Sequence, residues 1–128
     1  MKEKNPVLEA KRYVDNARTI LREKAVKEDR YYQDPKYVKM AGHTAYTGIL
    51  VALDLFFGVK GKGRKDVHWY KEQLATKDKR ALKDFISAYD LLHLAMSYDG
   101  NTDSEIAKLG LTRADEIIQW VEQRTATC

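Results

Sequence analysis

The chain has 128 residues, of which 44% are hydrophobic and 33% are charged, the composition of one ordinary globular domain over residues 1–128 and not of a disordered or fibrous protein. Its 23 basic and 19 acidic side chains leave a formal net charge of +4, too small to predict nucleic-acid binding over the whole surface. The single cysteine, Cys128, cannot form an intrachain disulfide, the N-terminus has no apolar signal segment, and the longest apolar stretch is interrupted by Asp54. We therefore expect a cytoplasmic domain without a membrane span.

Two Asx-Pro pairs predict the starts of the first two helices. Asn5 precedes a proline and a helix expected over residues 6–28, and Asp34 precedes a proline and a helix expected over residues 35–57. The first helix has one apolar and one charged side. The second is apolar on nearly all sides, which predicts that it is buried on two of them.

Three further helices are predicted in the second half of the chain. Asp66 is a suitable cap for a short helix, and either Thr76 or Asp78 for a long one that ends near residue 98. A tight turn then leads to Thr102, and Glu105 follows three residues later in the pattern of a capping box. No segment alternates for long enough to predict a β-strand. The predicted fold is an all-α antiparallel bundle of four long helices and one short helix.

The fourth predicted helix, like the second, has apolar residues on two sides. Its predicted core side contains Leu82, Phe85, Ile86, Tyr89, His93 and Met96. Two such helices carry more apolar surface than a small bundle with one core can cover, so we predict a symmetric homodimer. The residues predicted for its interface are Met40, His43, Leu50, Val51, Asp54, Leu94 and Tyr98. Asp54 is expected to pair there in a polar seam, because an unpaired carboxylate is costly among apolar side chains.

Residues 45–58, AYTGILVALDLFFG, are followed by a basic loop, by His68 in a short helix and by two long helices. In this order of elements the chain resembles HEPN domains, in particular the small bacterial bundles of that kind. The resemblance implies a dimeric helical bundle that acts as a metal-independent ribonuclease or as the partner of a minimal nucleotidyltransferase. HEPN ribonucleases use an Arg followed by a His, and Arg64 and His68 come nearest to that motif, with a shorter spacing.

A basic loop precedes the short helix. Residues 60–65, KGKGRK, carry four positive charges and no acidic residue, so the loop is a candidate for contact with phosphate or RNA. The candidate residues are Lys60, Lys62, Arg64 and Lys65. A solvated surface loop is the alternative, because the glycine spacing is not that of a P-loop.

Two functions follow from these features. The first is a non-catalytic HEPN-like interaction module, acting as a homodimer that binds a protein partner or RNA. The alternative is a metal-independent ribonuclease that uses Arg64 and His68. The sequence contains no cofactor motif, and Asp90 with His93 would supply only half of a carboxylate-bundle metal site. We therefore predict no metal and a buried, hydrogen-bonded His93.

Overall fold

The computed structural model describes residues 5–59 and 65–125, and this part of the chain is mostly helical, in agreement with the all-α prediction. Its α-helices are α1 (Pro6–Ile20), α2 (Pro35–Phe57), α3 (Val67–Ala75), α4 (Lys79–Ala88) and α5 (Ser104–Thr125). Two π-helical segments continue α1 over Leu21–Ala25 and α4 over Tyr89–Tyr98. Between the first of these segments and α2, β1 (Lys27–Glu28) pairs antiparallel with β2 (Tyr31–Tyr32).

The predicted starts of the first four helices are confirmed by their caps. The Asn5 side chain accepts hydrogen bonds from the first amides of α1, and the Asp34 carboxylate accepts one from α2. Asp66 caps α3, and Asp78, rather than Thr76, caps α4. Each cap oxygen satisfies amides that have no partner within the helix.

The end of the first helix differs from the prediction. The helix was expected to reach Glu28, but it ends at Val26, whose φ of 53° ends the π-helical segment. The chain then forms the β-hairpin, with Lys27 opposite Tyr32. Asp29 begins the two-residue turn with φ of 57°, which Asp tolerates far better than Val does. The prediction of a continuous helix without a strand was therefore wrong.

Contacts with the start of α5 explain the hairpin. The Arg30 guanidinium donates two hydrogen bonds of 2.9 Å to the Asp103 carboxylate. The Tyr32 amide donates to the Thr102 carbonyl at 2.9 Å, and the Ser104 amide donates to the Arg30 carbonyl at 2.9 Å. These bonds join positions 70 to 74 residues apart, and local helical propensity does not predict such a long-range pairing.

The cap of α5 also differs from the prediction. Asp103, not Thr102, accepts the hydrogen bond from the Glu105 amide, at 2.9 Å. Because the Thr102 carbonyl is engaged by the hairpin, the helix begins one residue later than a capping box at Thr102 would place it.

The buried line of α4 and its π-helical segment is shifted from the predicted one. It consists of Ala81, Phe85, Ala88, Leu92 and Met96. Ile86 was expected in the core but is 36% exposed, whereas Leu92, which was not, is fully buried. Phe85 and Met96 belong to both lines, whereas Leu82, Tyr89 and His93 are only half-buried. The steps of three and four residues keep the α-helical spacing, so the period was right and the predicted core side was rotated to one flank of the buried one.

Helix α2 lies at the centre of the molecule, as its two apolar sides predicted. Gly42 and Gly48 bring α2 close to its neighbours: a Cβ at Gly42 would lie 2.6 Å from the Leu92 carbonyl oxygen, and one at Gly48 would lie 2.9 Å from that of Ala10. By length and composition alone α2 could cross a membrane, but 44% of that apolar window is buried inside the molecule, where it packs as a core helix.

Candidate functional site

The residues predicted for the dimer interface lie on two adjacent helical segments. Gly42 of α2 lies against Met96 and Ser97 of the π-helical segment, so the two helical segments pack side by side. Met40 is 45% exposed and Tyr98 is 77% exposed. All seven members of the predicted set are exposed or half-exposed: Met40, His43, Leu50, Val51, Asp54, Leu94 and Tyr98. We call this set the α2/π surface.

The α2 part of this surface contains almost no charge. From residue 40 to residue 59 the only charged side chain is Asp54. Leu55, which is 37% exposed, extends the apolar row beyond Val51 and was not among the predicted interface residues. The sequence feature that could have identified Leu55 is its position one helical turn after Val51, on the same side of α2.

The polar residues beside this row have partners within the chain. The Tyr70 hydroxyl of α3 donates to the Asp54 carboxylate at 2.5 Å, and both groups are partly or fully buried. The Thr47 hydroxyl donates to the His43 carbonyl at 2.9 Å. Asp54 therefore joins α2 to α3, so its carboxylate does not need a partner from a second copy.

His93 lies in an aromatic cluster rather than in a hydrogen-bonded site. Its ring centroid is 5.0 Å from that of Tyr89, in a stacked arrangement, and 5.1 Å from that of Tyr46. Its Nδ1 atom is buried and has no hydrogen-bond partner among the described residues, so the predicted hydrogen bond is not formed at this atom, and the side chain as a whole is half-buried rather than buried. Burial and the neighbouring Tyr89 raise the pKa of the Tyr46 hydroxyl.

Within residues 5–59 and 65–125, no three His, Cys, Asp or Glu side chains are grouped as metal ligands.

The predicted anion site is only partly described. Lys60, Lys62 and Arg64 lie outside the described residues. Lys65 is exposed, and its ammonium lies 5.7 Å from the centroid of the Trp69 ring. His68 is exposed in the first turn of α3. The pairing of Arg64 with His68 therefore stays a prediction.

These features define an all-α protein with a nearly uncharged, partly apolar surface on its central helix. The chain belongs to the family described as Domain of unknown function (DUF5618), whose model matches residues 5–123. It is similar to a solved structure, a protein of unknown function from Dyadobacter fermentans, with 60% sequence identity and a TM-score of 0.90. That similarity covers 97% of this chain and 99% of the other. No curated protein matches. Neither description names HEPN domains, so that resemblance stays a prediction.

Proposed function

We propose that the protein is a non-catalytic interaction module that acts as a homodimer joined through the α2/π surface. The observation that carries the proposal is the single charged side chain between residues 40 and 59, Asp54, which already accepts a hydrogen bond from Tyr70. A helix side that faces water normally carries charged residues, and monomers rarely expose large apolar surfaces.

The outer sides of α1 and α5 differ from the α2/π surface in their charged residues. The outer sides of α1 and α5 are joined by ion pairs, Lys11 with Glu122 at 2.9 Å and Arg18 with Asp115 at 2.6 Å. These sides are suited to water. Among the described residues no such ion pair lies on the α2/π surface. A charged partner would therefore find little complementarity there, whereas a second copy presents the same apolar row across a two-fold axis.

We further propose that the bundle is HEPN-like. Its support is the order of four long helical units with the short α3 after a basic loop. We propose that the dimer binds a protein partner or RNA beside that loop. The support is the cation of Lys65 over the ring of Trp69, a combination that suits single-stranded nucleic acid.

Sedimentation velocity at micromolar concentration tests the homodimer. The wild-type chain should sediment as a dimer, and Met40→Lys should weaken the dimer about a hundredfold, because the variant places a charge in an apolar interface. Leu109→Lys is the matched control, since Leu109 is a similarly exposed residue, at 42%, on α5. It should leave the dimer intact.

Two results would contradict the proposal. One is a monomeric wild-type chain, and the other is a dimer that responds to Leu109→Lys but not to Met40→Lys. A ribonuclease assay without metal addresses the alternative function. Cleavage that disappears in His68→Ala would replace the non-catalytic module by the ribonuclease, and because His68 is exposed the variant should fold normally.

A further inference from the structure

We propose that a second surface, the groove between the end of α1, the β-hairpin and the start of α5, binds a small organic acid with an apolar body. The groove has a volume of about 740 Å³, within the range of small-molecule sites. It is independent of the α2/π surface, because none of its lining residues belongs to α2 or to the π-helical segment after α4.

The floor of the groove is apolar. Leu21 and Leu111 are buried beneath it, and the half-buried Tyr32 forms part of its wall. Burial raises the pKa of the Tyr32 hydroxyl, which therefore stays neutral around neutral pH. This floor favours a hydrocarbon or ring over a fully polar ligand such as a free phosphate ion.

The rim of the groove is cationic. Its lining contains four basic side chains, Arg18, Arg22, Lys27 and Lys108, and one acidic side chain, Glu105. Arg18 is paired with Asp115 and Arg22 with Glu23, but among the described residues neither Lys27 nor Lys108 has an acidic partner. Two unpaired ammonium groups above an apolar floor match a ligand with one charged and one apolar end.

Ser104 supplies the most specific feature. This first residue of α5 is only 7% exposed, it lines the groove, and its hydroxyl has no hydrogen-bond partner in the described part of the chain. The backbone amides at this end of α5 are already used, by the Arg30 carbonyl and by Asp103. A ligand must therefore be held by side chains, and the Ser104 hydroxyl, which lines the groove, is suited to donate to a carboxylate oxygen.

The walls of the groove are fixed before any ligand arrives. The ion pair between Arg30 and Asp103 holds the hairpin against α5, and the Gln33 amide donates to the Val26 carbonyl at 2.9 Å. Val26 lines the groove with a positive φ, a conformation that is strained for a β-branched residue. Such strain and π-helical turns both occur preferentially at functional sites.

Decanoate, kept below its micelle concentration, is the probe for a calorimetric titration, and amide NMR shifts locate the site. We expect saturable binding of one decanoate per chain, with shifts concentrated at residues 21–27 and 104–112. Lys108→Gln and Lys27→Gln should each weaken binding about tenfold, the effect of losing one charge-assisted contact. Lys83→Gln, an exposed lysine on α4, is the matched control and should bind like the wild type.

Further experiments distinguish the contribution of the ligand's carboxylate from that of its hydrocarbon chain, and distinguish binding in the groove from dimer formation. Decanol should bind at least about tenfold more weakly than decanoate, and acetate should not saturate. Ser104→Ala should weaken decanoate binding without lowering the melting temperature. Met40→Lys should bind decanoate normally even where it dissociates the dimer. Absence of saturable binding, equal affinity for decanol, or equal losses in Lys83→Gln and Lys108→Gln would each overturn the proposal.

Discussion

At the scale of single residues, Val26 is the most unusual position in the described chain. It and Asp29 are the non-glycine residues with positive φ in that part of the molecule. Asp29 lies in a hairpin turn, where such a conformation is common. Val26 has a branched Cβ, which makes the same sign of φ costly, and the hairpin hydrogen bonds hold it there. The structure therefore keeps a strained residue at the edge of the groove.

Replacing Val26 by glycine should separate stability from binding. We expect Val26→Gly to raise the free energy of unfolding by about 1 kcal/mol, since relief of strain exceeds the entropy that glycine gains in the unfolded chain. Decanoate affinity should fall in the same variant, because the wall of the groove becomes looser. Urea denaturation and calorimetry measure the two effects. Asp29→Gly is the control, with little expected change, and a Val26→Gly variant that is clearly less stable would show that the conformation carries no strain.

At the scale of helices, the contact of α2 with the π-helical segment depends on Gly42. An added Cβ there would lie 2.6 Å from the Leu92 carbonyl oxygen and 2.9 Å from the Ser97 amide nitrogen, and these backbone atoms cannot move without separating the helices. At Gly110 of α5 the nearest atom, at 2.8 Å, is the end of the Leu92 side chain. The two glycines therefore differ in how the neighbouring helix can respond.

Alanine substitutions test this difference. Gly42→Ala should lower the free energy of unfolding by about 3 kcal/mol, since overpacking against backbone exceeds the gain of about 1 kcal/mol from better helix propensity. Gly110→Ala should cost less than about 1 kcal/mol, because Leu92 can change rotamer and the propensity gain offsets part of the strain. Chemical denaturation provides both values. Equal losses in the two variants would contradict the distinction between backbone and side-chain contacts.

The helices also show which features the sequence could predict. The bounds of α2 follow from local chemistry, because Asp34 caps its start and Gly58, with φ of 69°, ends it. The end of α1 depends instead on Arg30 meeting Asp103, a contact across most of the chain that no local pattern encodes. The core side of α4 and its π-helical segment was ambiguous, because Tyr89 and His93 are at helical spacing just as Ala88 and Leu92 are, and the sequence does not show which of the two lines faces α2.

The α2/π surface and the groove also differ in how far each could be predicted from local sequence. The apolar row on α2 was predictable because it lies on one continuous helix, and Met40 and Val51 repeat at helical spacing. The groove combines α1, the hairpin and α5. Its key residue, Ser104, follows a turn at the start of α5, and nothing in the local sequence distinguishes it from other helix-start residues. The residues around it come together only when the hairpin is in place.

At the scale of the whole molecule, each end of α5 is hydrogen-bonded to a carboxylate that lies outside the helix, Asp103 at its start and Asp78 near its end. At its start, Asp103 accepts hydrogen bonds from Arg30 and from the Glu105 amide, and these contacts lower the pKa of Asp103. Near its end, Asp78 at the start of α4 accepts hydrogen bonds from the Trp120 indole at 3.0 Å and from Arg124. The Trp120 bond, together with the Ala81 amide, lowers the pKa of Asp78.

These two carboxylates should make the fold sensitive to acid. Because the folded pKa of each is below the ordinary value of 3.8, their stabilising contribution is complete above about pH 4 and is lost as the pH falls through the lower folded pKa. We expect the melting temperature of Asp103→Asn to be lower than that of the wild type at pH 7, with a smaller further decrease between pH 4 and pH 2. Asp78→Asn should behave similarly, since asparagine still caps α4 but carries no charge to pair with Arg124.

Asp99→Asn is the control: it changes an exposed carboxylate outside both sites, so its melting temperature should decrease in acid as much as that of the wild type. If all three variants lose stability in acid as steeply as the wild type, the two ends of α5 do not control the acid response, and the other acidic residues of the chain must account for it.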